Sequence, residues 1–175
     1  MTLDNFYGYV QREILDKGYH MGGTYYAPVM RDVYNKYIHE EPANLPNYII
    51  FITDGANSDR SATQKVITEV SKYPIFWQFV GIGDSEFPFL EKLDELTGRY
   101  VDNANFFALN DIQSVDDEEL YRRLLDEYPS WLGNPALPAM SFSGPKMDEN
   151  TTSSSATTPT QPTQPPKKKG FFGLF

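Results

Sequence analysis

Two nearly continuous apolar runs, "YIIFIT" at residues 48–53 and "PIFWQFVGIG" at 74–83, constrain the fold most strongly. Between them Ala62, Val66 and Val70 recur at a spacing of four residues, which is typical of an amphipathic helix. Apolar strands that alternate with helices are typical of a parallel sheet with both faces covered. The sequence therefore predicts an α/β fold.

The rest of the first 138 residues continues this alternation. A third, shorter strand is predicted at 105–109, "NFFAL", and Asn57, Ser58 and Asp59 are predicted caps for the helix between the first two strands. Further helices are predicted over 3–17, around 27–39, over 86–97, and from the acidic cluster at 116–119 toward Trp131. Three strands are few for a sheet of this class.

The alternation stops near residue 139. Residues 139–166, which include "NTTSSSATTPTQPTQPP", are rich in Ser, Thr, Pro and Gln. Such a segment buries too little apolar surface to offset its ordering entropy, so we expect a disordered linker. The chain thus divides into a packed domain over 1–138, a linker over 139–166 and a basic, aromatic tail, "KKKGFFGLF", over 167–175.

The composition of the chain excludes several kinds of site and of binding partner. The chain has no cysteine, which excludes disulfides, thiolate metal sites and cysteine nucleophiles. Without Lys167–Lys169, twelve basic residues remain against 24 acidic ones, so the body of the protein repels nucleic acid. No apolar stretch approaches the roughly 20 residues of a membrane-spanning helix. We expect a cytoplasmic protein.

Motifs of catalysis are missing from the sequence. "GIGDSE" at 81–86 begins like a dinucleotide-binding loop, but Glu86 stands where a third glycine is required. Walker A, G-x-S-x-G and H-E-x-x-H patterns do not occur, and His20 and His39 belong to no recognisable relay. The sequence therefore predicts a protein that is not an enzyme.

Asp54 and Thr24 are the candidate ligands of a metal site. Asp54 ends the first apolar run, and ligands of open α/β sheets collect at the carboxyl ends of strands. Asp54 could instead cap the turn that Gly55 permits. Thr24 follows Gly22 and Gly23 and precedes a predicted helix, so its hydroxyl could either cap that helix or ligate a hard cation.

Several motifs together resemble a von Willebrand factor A (vWA) domain. They are "GGTYYAPV", "IIFITDG", "WQFVGIG" and "LDELTGRYVDNANFF", followed by a last helix with "DEELYRRLLDEYPSWL". The chain is most similar to the vWA domains of TerF-like bacterial tellurite-resistance and stress-response proteins. The likeness covers roughly residues 3–133.

This resemblance implies a metal-ion-dependent adhesion site for Mg²⁺ or another divalent cation. Thr24 and Asp54 match the family's threonine and aspartate ligands, and Gly22, Gly23 and Gly55 support their loops. A protein partner completes the coordination with an acidic group. The implied function is non-enzymatic binding, as an adaptor in bacterial tellurite resistance or stress response.

The sequence departs from the family at the start of the domain. The Asp-x-Ser-x-Ser loop, the first three strands and the first helix are missing, and "DRSATQ" at 59–64 follows the wrong strand to replace that loop. We expect the C-terminal portion of a vWA domain, with weak or no metal binding alone and a partner that supplies the missing half. The alternatives are a truncated or split gene product that acts as an interaction remnant, and a Mg²⁺-dependent hydrolase or phosphate-handling enzyme using Asp54.

The missing strands also affect stability. In the family's strand order, 3-2-1-4-5-6, the strand at 48–53 would pair with the first strand. Without that neighbour it presents an apolar, uncharged edge, which invites pairing with another chain. We expect the isolated chain to be marginally stable or self-associating.

The tail at 167–175 has two interpretations. It could be a short linear motif that docks into a partner, or a reversible, peripheral membrane contact in which lysines meet anionic lipid and aromatic side chains insert. Both use the same residues, which are Lys167, Lys168, Lys169, Phe171, Phe172, Leu174 and Phe175.

Overall fold

The computed structural model of the protein describes residues 12, 16, 23–84, 86–111, 113 and 115–148. The predicted helix over 3–17 lies, apart from residues 12 and 16, outside this part of the chain. So do Gly22, most of the predicted linker and the whole tail. The predictions made for those segments stay predictions.

The described residues contain a parallel sheet of three strands, which confirms the α/β class. The strands are β1 (Asn47–Thr53), β2 (Ile75–Ile82) and β3 (Ala104–Leu109), in the order β1-β2-β3. Asn47 lies opposite Ile75, and Trp77 lies opposite Ala104. Central β2 is buried along nearly its whole length, as its continuous apolar sequence predicts.

Helices flank the sheet on both faces. They are α1 (Ala27–Tyr34), continued by a π-helix (Asn35–Glu40), α2 (Arg60–Val70), α3 (Pro88–Asp94), α4 (Asp117–Leu124), α5 (Tyr128–Leu132) and a 3₁₀ turn (Leu137–Ala139). Alternate residues of β2 point to opposite faces. Trp77 and Phe79 pack in the larger core with α1, α2 and α3, whereas Phe76 packs with Trp131 of α5 in a smaller one.

The single helix predicted from the acidic cluster to Trp131 is two helices. Asp116 caps α4 by accepting a hydrogen bond from the Glu119 backbone N–H at 2.9 Å. The break follows from Pro129 in the first turn of α5, because an interior proline removes a helical hydrogen bond and clashes with the preceding turn. Pro88 similarly fixes the start of α3, which is shorter than the predicted 86–97.

The predicted start of the disordered linker at residue 139 is wrong for residues 139–148. The Asn35 side-chain amide donates to the Met147 carbonyl at 2.9 Å, and the Met147 N–H donates back to Asn35 Oδ1 at 2.7 Å. The Gly144 N–H donates to the Ile38 carbonyl at 3.1 Å, and Met147 is only 4% exposed. This segment is held through backbone groups, which leave no periodic pattern in the sequence.

In the described sheet β1 is an edge strand, as expected. Its first half is covered, because the Tyr48 ring packs on Phe76 and its hydroxyl donates to the Leu124 carbonyl. Its second half is open, with Ile50 48% and Ile52 60% exposed. Ile50 and Ile52 therefore expose one apolar face of this edge strand next to Asp54.

Candidate metal site

Asp54 follows β1 at the carboxyl edge of the sheet, and its side chain is exposed. Its Oδ1 accepts a hydrogen bond from the Ala56 N–H at 3.3 Å, the pattern of an Asx turn. Gly55 has a φ of 91°, which a glycine adopts at little cost. Asp54 thus caps its own turn while presenting a carboxylate to solvent, so the capping role and the ligand role are compatible.

The loop after β1 rests on the ring of Phe87. A Cβ atom added to Gly55 would lie 2.4 Å from Phe87 Cδ1, and one added to Gly81 would lie 2.7 Å from Phe87 Cε1. Both distances are far inside van der Waals contact. The two glycines allow the aromatic ring to support the backbone that carries Asp54.

The segment that carries Thr24 lies against the loop that follows Asp54. The Ser58 N–H donates to the Thr24 carbonyl at 2.8 Å. A Cβ atom on Gly23 would lie 2.2 Å from Ser58 Oγ, so glycine permits this close approach. The structure therefore brings together the loops of Thr24 and Asp54, the two predicted metal ligands. The side chain of Thr24 is exposed.

The helix-capping role considered for Thr24 belongs to Asp59. Helix α1 begins after Tyr26, and Asp59 accepts hydrogen bonds from the Tyr26 N–H at 3.0 Å and the Ala27 N–H at 2.9 Å. The sequence predicts Asp59 as a cap of α2, and it does precede that helix, but its carboxylate caps α1. No local pattern could reveal this, because the paired residues are 32 and 33 positions apart.

Two carboxylates bring negative charge to this edge of the sheet. Burial raises the pKa of Tyr26, and the charges of Asp54 and Asp59 raise it further; its hydroxyl lies 2.7 Å from Thr53 Oγ1. Burial opposes ionisation of Asp59, but the hydrogen bonds from Tyr26, Ala27, Thr63 and Asn57 outweigh it and lower its pKa. Asp59 is therefore ionised at neutral pH, and the local charge favours a cation.

The residues present fit a divalent cation in kind but not in number. The carboxylate of Asp54 and the hydroxyl of Thr24 are the hard oxygen donors that Mg²⁺ prefers. Both oxygens of Asp59 already accept hydrogen bonds from the protein, three at Oδ1 and one at Oδ2. Among the described residues no three or more His, Asp or Glu side chains are grouped to hold a metal ion. A metal centre here needs further donors.

A family model and a curated bacterial protein are similar to this chain. A family model described as "vWA-TerF-like: vWA found in TerF C terminus" matches residues 1–138. The chain is 41% identical over 170 residues to "Uncharacterized protein YcbR" of Bacillus subtilis (strain 168). The match covers 96% of this chain but only 63% of that relative, less than two thirds of its length. The protein belongs to the family of vWA domains found at the C terminus of TerF.

Proposed function

We propose that the protein is a non-enzymatic adaptor that recognises a protein partner at the carboxyl edge of its sheet, with the help of a divalent cation. The observation that carries this proposal is the close contact between the loops of Thr24 and Asp54, through the bond from the Ser58 N–H to the Thr24 carbonyl. Membership of the vWA family supports a role in protein interaction.

Within this proposal Thr24 would supply a hydroxyl oxygen and Asp54 a carboxylate oxygen to the cation. Mg²⁺, when bound, supplies a positive charge that an acidic group of the partner can share. Two protein donors leave most of an octahedral shell to water and to groups of another polypeptide. The partner therefore contributes both recognition and donors.

The same partner completes the sheet beside β1. Ile50 and Ile52 are exposed on this edge strand, and no charged residue occurs within Asn47–Thr53. An uncharged edge with exposed apolar side chains favours the addition of a strand. A polypeptide paired there lies next to Asp54, where it can deliver the missing donors.

The proposed setting is bacterial tellurite resistance or stress response in the cytoplasm. It is the setting that the resemblance to TerF-like proteins implies, and the match to a vWA-TerF-like family model is its support. None of the helices in the described part of the chain is long and apolar enough to cross a lipid bilayer.

The isolated chain should bind Mg²⁺ weakly, with a dissociation constant in the millimolar range or above. A millimolar constant corresponds to a binding free energy of about −4 kcal/mol. Two donors cannot match a full octahedral site. In a titration followed by amide chemical shifts, Thr24 and Asp54 should respond together, and Asp54→Asn should abolish both responses. Micromolar affinity in calorimetry of this chain alone would contradict the incomplete site.

Asp84→Asn is the matched control, because Asp84 is another exposed carboxylate that follows the neighbouring strand β2. It should leave the Mg²⁺ response unchanged. In extracts of the native bacterium the tagged chain should retain a specific partner in Mg²⁺ and lose it in EDTA. Loss of that partner with Asp54→Asn but not with Asp84→Asn is expected; equal retention by both variants would overturn the adaptor proposal.

For the tail we propose docking into a protein partner at the end of the Pro-rich linker. Its nine residues include two glycines, which disfavour a free amphipathic helix on a membrane. The chain should therefore fail to float with anionic phosphatidylserine vesicles, with or without residues 167–175. Flotation that disappears when these residues are deleted would show a membrane contact instead.

A further inference from the structure

We infer that Asp59 is the positioning residue of this site, because its carboxylate fixes the loop of Thr24 against the loop of Asp54. The part of this inference that concerns a cation rests on the proposed function. The part that concerns the geometry of the two loops stands on the hydrogen bonds alone. We assign Asp59 a positioning role and no ligand role, because both of its oxygens already accept hydrogen bonds within the protein.

The carboxylate of Asp59 joins three segments of the chain. Oδ1 accepts from the Tyr26 N–H at 3.0 Å, from Asn57 Nδ2 at 2.8 Å and from Thr63 Oγ1 at 3.0 Å. Oδ2 accepts from the Ala27 N–H at 2.9 Å. One side chain thus bonds the start of α1, the loop after Asp54 and the first turn of α2.

These bonds determine where the Thr24 hydroxyl stands. Thr24 lies two residues before Tyr26. It follows Gly23, and a glycine backbone has more accessible conformations than that of other residues unless contacts restrict it. Other contacts also join these segments, among them the Ser58 N–H with the Thr24 carbonyl, the Tyr26 hydroxyl with Thr53 Oγ1, and the Tyr26 ring with Phe51. Without the carboxylate, the start of α1 loses two hydrogen-bond acceptors, and Thr24 is held less firmly relative to Asp54.

Both oxygens of the carboxylate are needed. The backbone N–H groups of Tyr26 and Ala27 point to different oxygens of Asp59. An asparagine has the same shape but only one acceptor oxygen, and its NH₂ group would face a donor. Asp59→Asn therefore leaves one backbone N–H without an acceptor while it preserves the volume of the side chain.

Ser71→Ala is a matched structural control at the opposite end of α2. Ser71 is fully buried, its hydroxyl donates to the Thr68 carbonyl at 2.6 Å, and it accepts from the Tyr100 N–H at 2.8 Å. The substitution removes a buried hydroxyl from the same helix without touching either loop. It separates a loss of general stability from a loss of loop position.

The experiment uses the full chain and Mn²⁺ as the probe, because Mn²⁺ takes the same oxygen ligands as Mg²⁺ and broadens nearby amide signals. In the wild-type chain the signals of Thr24 and Asp54 should broaden together. Asp59→Asn should weaken the apparent affinity roughly three- to tenfold and uncouple the two signals, whereas Ser71→Ala should change affinity less than about twofold. An affinity for Asp59→Asn within about twofold of wild type would overturn the inference.

Amide hydrogen exchange without metal distinguishes failure of this inference from failure of the metal proposal. Asp59→Asn should accelerate exchange at Tyr26, Ala27 and Ser58 at least about tenfold more than Ser71→Ala does. If the wild type shows no Mn²⁺ broadening but this exchange pattern is found, the metal proposal fails and the positioning role of Asp59 stands. If both variants accelerate these amides equally, the positioning role is wrong.

Discussion

Replacing Ile50 by lysine should weaken self-association of the isolated chain at least tenfold, which corresponds to about 1.4 kcal/mol. The side chain of Ile50 is 48% exposed on the open half of β1. A lysine there would place a charge on the exposed edge strand, which is one way in which natural edge strands resist pairing with another chain. Sedimentation velocity over a range of concentrations measures the change.

Leu125→Lys is the control for this prediction, because Leu125 is similarly exposed, at 46%, but follows α4 and is not part of the edge strand. It should leave self-association unchanged. The wild-type chain should either associate or unfold without a cooperative transition. A wild-type chain that is monomeric and melts cooperatively without a partner would contradict the view that the edge of β1 is incomplete.

Strand β2 was predictable because burial on both faces requires a continuous apolar sequence. A short, continuous apolar run such as 74–83, with a helical pattern before it, is typical of a strand that is covered on both faces. The ends of the helices were less predictable, since the periodicity near Trp131 outlasts the helix. There Pro129 breaks the helix within a pattern that otherwise continues.

The candidate site was predictable only in its exposed residues. Asp54 and Thr24 stand out through their positions beside glycines and, for Asp54, at the end of a strand. Asp59 is the N-cap residue of α2, as predicted, but the bonds of its carboxylate to the start of α1 were not predictable. Those partners are distant in sequence and bond through backbone N–H groups, which nearly every residue carries. The same reason hides the pairing of Asn35 with Met147, which are 112 residues apart.

The second large effect is expected at Gly55, which the site requires for two separate reasons. Gly55→Ala should destabilise the chain by about 2–4 kcal/mol, since the new Cβ meets the Phe87 ring at 2.4 Å and the residue must keep a φ of 91°. Gly83→Ala measures the loss of stability caused by backbone strain alone, without a side-chain clash. Gly83 has a φ of 119°, and among the described residues no atom lies within 4 Å of an added Cβ, so a loss of about 1–2 kcal/mol is expected.

Urea unfolding in the Ile50→Lys background keeps the transition free of self-association. The variant Phe87→Leu combined with Gly55→Ala should recover at least about 1 kcal/mol relative to the sum of the two single changes, because the smaller side chain relieves the clash. Equal losses for Gly55→Ala and Gly83→Ala would instead show that only backbone strain matters. In that case Phe87 would not support the loop, and the position of Asp54 would depend on its own Asx turn and on the hydrogen bonds of Asp59.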